Sequence, residues 1–295
     1  MNDSGDLTVA EVTDRFAAAW HAHHAYLVNL AFRMLNDIGH AEDLVQEAYA
    51  RLARADLNTI EDDRAWLTVV TSRLCLDHLR SAAARREHAR DTTVLEPTTA
   101  LGSLPPADPA DRVTLDDEVR TALSVVLHQL GPAERVAFIL HDVFGTPFAE
   151  IAETLGRPIA SCRQLARRAR QKIADSRKHG GPVTYDKHDV VTEKFITACA
   201  NGDLEALTAV LSPEVWGVAE FGADAPLPPQ VNHGRELVAA NMVRFNGPDA
   251  TMVSLPGASQ PTLLAFRQRR PYAVITLTVV GQRVAKVHLV GRLDG

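Results

Sequence analysis

Two all-helical units followed by an α+β unit are the fold class that the sequence predicts, and three observations carry it. Apolar residues recur at helical spacing from Val12 to about Arg90 with no proline among them. The same spacing resumes at Val113 and runs to Lys178, after a segment that holds Pro97, Gly102, Pro105, Pro106 and Pro109 and little apolar content. Beyond Gly180-Gly181-Pro182 the pattern changes to runs rich in β-branched and aromatic residues, Thr262 to Phe266, Tyr272 to Val280 and Arg283 to Val290. The expected units are therefore 12–90, 113–178 and 186–292, with 91–112 as a connector.

Within the first unit, Tyr26, Leu30, Phe32 and Met34 fall in one amphipathic stretch and Leu44, Ala48, Tyr49 and Leu52 in another. A polar loop, Asn58 to Asp63, leads into Ala65 to Arg80, where Trp66, Val69, Val70, Leu74 and Leu76 supply a buried face. In the second unit Gly131-Pro132, Gly145 and Gly156-Arg157-Pro158 punctuate three or four short helices. The third unit is expected to open with a helix from about Asp189 to Leu211, pass a loop with Pro226, Pro228 and Pro229, and add a helix near Gly234 to Phe245. Gly281-Gln282 is expected to turn a hairpin between its last two strands.

At 295 residues with 46% hydrophobic and 23% charged residues, the chain is long enough for two or three domains and too apolar for wholesale disorder. No apolar run approaches the ~20 residues that cross a bilayer. The first ten residues carry Asp3 and Asp6 where a secretory leader carries positive charge. Cys75, Cys162 and Cys199 are odd in number and far apart, which suits a reducing compartment better than a disulfide framework. A cytoplasmic protein with no membrane contact is the expectation.

The net charge of −6 speaks against nucleic acid until its distribution is considered. Arg157 to Lys178 holds eight basic residues to one acid, Asp175. Arg80, Arg85, Arg86 and Arg90 form a second basic group, and the stretch between the two is acidic. Two anionic contacts separated by an acidic connector are the reading.

The sharpest local signal is Thr146 to Gly156 followed by Ile159 to Arg170. Small Ala152 permits a close helix crossing, Gly156 supplies the turn, and Ser161 caps or begins a second helix, the logic of a helix-turn-helix. Arg163, Arg167 and Arg170 share a face of that helix, flanked by Gln164 and Arg168, so guanidinium forks meet base edges and phosphates together. A solvated basic helix is the plainer alternative. The earlier run Ala41 to Tyr49 is acidic on one face and apolar on the other. Near it, Thr71, Arg73 and His78 are expected on a polar face of the Trp66 helix that leads into Arg85-Arg86.

These features together resemble an extracytoplasmic-function (ECF) sigma factor of bacterial RNA polymerase. Asp43-Leu44-Val45-Gln46-Glu47-Ala48 is similar to the clamp-binding motif of region 2 in that family, Trp66-Leu67 and Asp77-His78-Leu79-Arg80 to its promoter-melting helix, and Phe148 to Lys172 to region 4. The likeness keeps order and spacing over roughly residues 15 to 178. Cys162 to Ala166 resembles the subgroup with a C-terminal SnoaL-like (NTF2-like) extension. Arg73 departs from that pattern, standing where many relatives have Asn. The subgroup's Trp-Leu-Pro-Glu-Pro motif is reduced to Leu95-Glu96-Pro97, and two motifs of its extension are missing.

The resemblance implies a fold of two all-α sigma domains, a region 2 bundle and a region 4 helix-turn-helix, plus an α+β NTF2-like cone. It implies core RNA polymerase as partner through its clamp coiled coil and flap, with Asp43, Gln46 and Glu47 as acceptors for the clamp. It implies promoter DNA as the second partner, held by Trp66, Thr71, Arg73, His78, Arg80, Arg85 and Arg86 in the melting domain and by Ser161, Arg163, Gln164, Arg167, Arg168 and Arg170 upstream. The connector, at most ~75 Å when extended, spans two promoter elements ~55 Å apart.

In the third unit Trp216, Phe221, Phe245 and Phe266, with His233, are candidates to line a pocket, with ordinary core as the default for the aromatics. No Tyr/Asp pair of the ketosteroid isomerase kind is assignable there, and no chemistry, cofactor or metal is expected. His21, His23 and His24 read as a helix face rather than as a metal site. The tethered third unit is expected to dock on the promoter domains and tune core binding. The rival readings are a one-component repressor that senses a small molecule in the cone, and an isomerase-like enzyme with a DNA-binding appendage.

Overall fold

The computed structural model describes residues 9–92, 130–176, 190–221, 229–247, 249–255 and 260–291. Most of the connector, the helix start expected at Val113, the Gly180-Gly181-Pro182 joint, and Pro226 and Pro228 lie outside the described residues.

Three helices form the first unit: α1 (Val9–Leu35), α2 (Ile38–Leu52) and α3 (Asp63–Thr92). The reversal between α1 and α2 uses Asn36 at φ 57, a left-handed conformation that Asn tolerates. Asp37 then caps α2 by accepting the His40 N–H at 2.9 Å. Ile38, Ala41, Val45, Ala48, Tyr49 and Leu52 recur at steps of three and four and are buried. Tyr49 is wholly buried among them and donates its hydroxyl to the Ala19 carbonyl at 3.0 Å. Arg15 ties α1 to the approach to α3: its fork meets Asp63 at 2.7 and 3.1 Å and donates to the carbonyls of Leu57 and Ile60.

The second unit has α4 (Pro132–Phe138), continued by a π-helical turn at Ile139–Val143, then α5 (Phe148–Leu155) and α6 (Ile159–Ser176). Gly156 ends α5 at φ 60, and its N–H bonds the Ala152 and Glu153 carbonyls. This is the expected glycine turn of the helix-turn-helix. α6 starts before Ser161, which lies half-buried within its first turn with its N–H donating to the Pro158 carbonyl. Ser161 is thus not the cap residue.

The third unit is α7 (Val190–Asn201), α8 (Leu204–Val210), β1 (Leu211–Phe221), β2 (Gln230–His233), α9 (Arg235–Asn246), β3 (Ala250–Leu255), β4 (Thr262–Arg267), β5 (Arg270–Val280) and β6 (Arg283–Gly291). Instead of one helix to Leu211 there are two, because Gly202 turns the chain at φ 65 and Asp203 caps α8 by accepting the Ala206 N–H at 2.9 Å. The strands form one sheet in the order β2-β1-β6-β5-β4-β3, antiparallel except for the β1/β6 pair. β5 and β6 form the expected hairpin, with Val280 opposite Arg283 and Gly281 at φ 63. The β4–β5 turn is tighter than its residues favour. Gln268 and Arg269 both hold positive φ, 51 and 64, a pairing for which Asn-Gly is the strain-free sequence.

α1 touches all three units. Its Asn29 and Arg33 donate to the hydroxyl of Ser254 on β3 at 3.0 and 2.6 Å, and the Ser254 N–H donates to Asn29 Oδ1 at 3.0 Å. All three residues are buried. Phe32 packs on Phe266 of β4, ring centroids 5.9 Å apart. Arg64 of α3 pairs with Glu193 of α7 at 2.9 Å, and Arg135 of α4 donates to the Met34 carbonyl at 3.1 Å. One apolar cluster includes Leu27 and Leu30 of α1, Ile139 and Ile151 beyond the connector, and Val253 and Leu264 of the sheet.

Candidate nucleic-acid interface

α6 buries Cys162, Leu165, Ala166, Ala169 and Ile173 against the rest of its unit, which turns Arg163, Gln164, Arg167, Arg168 and Arg170 to solvent. The five are not equivalent. The Arg163 guanidinium lies 5.7 Å from the centroid of the Phe148 ring, and Arg170 pairs with Asp142 of the π turn at 2.7 Å. Arg163 and Arg170 are thereby oriented by the start of α5 and by α4's extension, while Gln164, Arg167 and Arg168 project outward. Lys172 reaches back to Glu134 at 2.6 Å and braces α6 on α4. The surface offers planar donors to phosphates and base edges.

On α3 the expected polar face is only partly exposed. Thr71 is fully buried, and its hydroxyl has no hydrogen-bond partner among the described residues, so it belongs to the core rather than to a DNA-facing row. The cause is helical phase: Thr68, Thr71 and Cys75 follow one another at steps of three and four on the packed side, with Ser72 beside them. Trp66 is half-buried against the apolar cluster. Arg73 is exposed but engaged, donating to the carbonyls of Glu153 at 2.8 Å and Thr154 at 3.4 Å at the end of α5. Those are last-turn carbonyls, an acceptor site that favours a cation. His78 lies 4.5 Å from His40, ring to ring, and burial first, then the neighbouring His40 and Arg85, hold its pKa below the ordinary imidazole value. Arg80 faces Asp77 at 3.6 Å, and Arg85 is exposed. The side chain of Arg86 lies outside the described residues.

The acidic group on α2 is a second surface. Asp43, Gln46 and Glu47 are all exposed, at i, i+3 and i+4, opposite the buried row of the helix. Glu47 pairs with Arg51 at 3.1 Å. Asp43 accepts from Arg269 Nη2 at 2.5 Å, and Glu42 accepts from Arg269 Nε at 3.3 Å and from the Thr251 hydroxyl at 2.7 Å. The hydrogen bond that Arg269 donates to Asp43 holds the Arg269 pKa above its already high ordinary value. Arg269 was not singled out from the sequence, where the only hint is an excess of cations, Gln268-Arg269-Arg270, at a turn. Glu42 stands one residue before the motif that carries the resemblance, which begins at Asp43.

The third unit holds a pocket of about 410 Å³ between the sheet and α9. Phe221 and Phe245 line it. Trp216, His233 and Phe266 do not. Alternation along β1 puts Gly217, Ala219 and Phe221 on the pocket side and Trp216 on the other, where it is 40% exposed beneath Lys286 and stacked on His233. Phe266 is taken up by Phe32 of α1. The histidines near the start of α1 also diverge. His21 bonds the Ala17 carbonyl on an exposed face, whereas His24 stacks on Trp20 at 4.2 Å.

Two helical modules, one with an acidic helix beside a part-basic one and the other with a basic helix-turn-helix, have the charge pattern of a DNA-binding class of protein. Comparison with known proteins gives the family. The family model described as "Sigma-70 region 2" matches residues 19–85, and that described as "Sigma-70, region 4" matches residues 120–173. The chain is 48% identical over 283 residues to the "Probable ECF RNA polymerase sigma factor SigI" of Mycobacterium tuberculosis, covering 94% of this chain and 93% of that one. It is 38% identical over 248 residues to the ECF RNA polymerase sigma factor SigJ of the same species, covering 83% and 77%. Among solved structures it is similar to that of M. tuberculosis SigJ, with 27% identity, coverage of 94% and 97%, and a TM-score of 0.38. The chain belongs to the ECF family of RNA polymerase sigma factors. The family points to transcription initiation rather than to the repressor alternative.

Proposed function

We propose that this chain directs core RNA polymerase to promoters through two helical modules, 12–90 and 113–178, with 91–112 as their connector, and that its third module, 186–292, restrains this activity by docking on the first. The observation that carries the proposal is the pairing of surfaces on one chain: an exposed row of two acids and an amide on α2 and an exposed basic face on α6. Asp43, Gln46 and Glu47 would accept hydrogen bonds from a basic coiled coil of the polymerase clamp, and the second module would rest on the flap. Gln164 and Arg167 would read the upstream element in the major groove while Arg168 meets a phosphate, with Arg163 and Arg170 held in place by Phe148 and Asp142. The melting helix α3 would hold unstacked bases with Trp66, His78, Arg80, Arg85 and Arg86 once Arg73 leaves the carbonyls at the end of α5. A cytoplasmic location goes with this role.

Support for the restraint comes from Arg269 of the third module, which occupies Asp43, a residue the clamp would need. Separately, Arg73 ties the first module to the helix-turn-helix of the second. Run-off transcription with purified core polymerase and genomic promoter fragments tests the whole. Discrete transcripts that require both the chain and core are expected. Site-specific DNA binding without core, and no transcript with it, would return the repressor reading.

A further inference from the structure

The pocket between the sheet and α9 is unusual in its charge. Its apolar wall is built by Phe221, Val238, Met242, Phe245, Val287 and Leu289. Its polar groups are the amides of Gln230, Asn232 and Asn241 and two guanidiniums, Arg244 and Arg267, with no carboxylate among the described lining residues. The carboxylate nearest in sequence to that wall, Glu220, alternates to the other face of β1 and pairs with His288 at 3.1 Å.

Arg267 is fixed in place. Its guanidinium lies 4.5 Å from the Tyr272 ring centroid, and Nη2 donates to the Phe245 carbonyl at 2.9 Å. A cation over a ring and one carbonyl leave its charge unneutralised. Arg244, in the last turn of α9, is exposed. Among the described residues neither cation has a carboxylate partner, and an anion held beside both would neutralise their charge. The cavity volume, about 410 Å³, falls in the ~300–1,000 Å³ range of ordinary small-molecule sites.

We propose that this pocket binds a small apolar carboxylic acid, with its chain against Val238, Met242, Val287 and Leu289 and its carboxylate between Arg244 and Arg267. The amides of Gln230, Asn232 and Asn241 supply further donors at the head group. A neutral apolar molecule of the same size gains the wall but not the cations, and an amine meets repulsion.

The test is isothermal titration calorimetry of the full-length protein with three ten-carbon probes, decanoate, 1-decanol and decylammonium. One decanoate per chain is expected, bound at least about tenfold more tightly than either of the others. Arg244→Gln, at an exposed helix position, is expected to bring decanoate down to the level of decanol while leaving decanol and the thermal melting unchanged. Arg267→Gln gives up structural contacts as well, so Arg244→Gln is the deciding variant. Equal affinity for decanoate and decanol, no decanoate binding below millimolar concentration, or an Arg244→Gln protein that holds decanoate as well as the parent would overturn the proposal. The binding is read without polymerase or DNA, so its failure leaves the transcription reading standing.

Discussion

Arg269, the second residue of the β4–β5 turn, donates from Nη2 to Asp43 Oδ1 on α2 at 2.5 Å, across 226 positions of sequence. The turn holds Arg269 at φ 64, where a residue with a Cβ is strained by ~1–2 kcal/mol. Glycine there would be easier for the backbone and would leave Asp43 and Glu42 without their cation. The contact joins a strained turn of the third module to the acidic face of α2. Both side chains are about half exposed, so the pair is weak and screened by salt. Such a contact suits a latch that opens better than a permanent brace.

Replacing Asp43, Gln46 and Glu47 together with Ala is expected to weaken core binding at least tenfold in competition assays. The helical circular dichroism should be retained, since all three lie opposite the buried row of α2. Unchanged core affinity would remove the clamp assignment.

Gln164→Ala is expected to cost about 1–3 kcal/mol and relax base preference at one position of the upstream element. Arg168→Ala is expected to weaken all sequences alike, as loss of a phosphate contact does. Holoenzyme binding to a promoter library separates the two. Uniform loss in both variants would mean that α6 only positions the protein.

The buried cluster of Asn29, Arg33 and Ser254 predicts a stability effect at the α1/β3 contact. Ser254→Ala removes the hydroxyl that accepts from both donors without adding bulk to the buried site, and unfolding in urea is expected to show a loss of about 1–3 kcal/mol. Ser254→Thr, which restores the acceptor, is expected to recover part of it.

Burial against Trp20 pushes the His24 pKa down to about 4. In the unfolded chain it sits near its ordinary value of ~6.5. Between those values the unfolded state binds the proton that the folded state refuses, so stability falls as pH drops from about 6.5 toward 4, by up to ~3 kcal/mol. His24→Phe is expected to flatten that part of the profile relative to the parent. Parallel profiles for the two proteins would contradict it.

Much of the helical part was legible because period and turn chemistry agree there. Gly156 ends α5 as its position suggests, and Cys162, Leu165, Ala169 and Ile173 make one stripe. β1 was illegible because Pro213 and Gly217 break the strand pattern, and β2 spans only Gln230–His233. Helical phase misplaced Thr71 because a threonine reads as polar whichever way it points. The pocket aromatics were misassigned for another reason. Trp216 and Phe221 differ by an odd number of positions on one strand and so lie on opposite faces, a distinction that needs the strand to be known first. Arg269 and its acceptors are far apart in sequence, and no local pattern brings them together.

Competition for core polymerase between the parent chain and Arg269→Ala, measured from low to high salt, tests the restraint most directly. The variant is expected to bind core about twofold to fivefold more tightly at low salt, with the difference fading as salt screens the pair in the parent. Equal affinity at every salt concentration, or weaker binding by the variant, would contradict a third module that holds Asp43 away from the clamp.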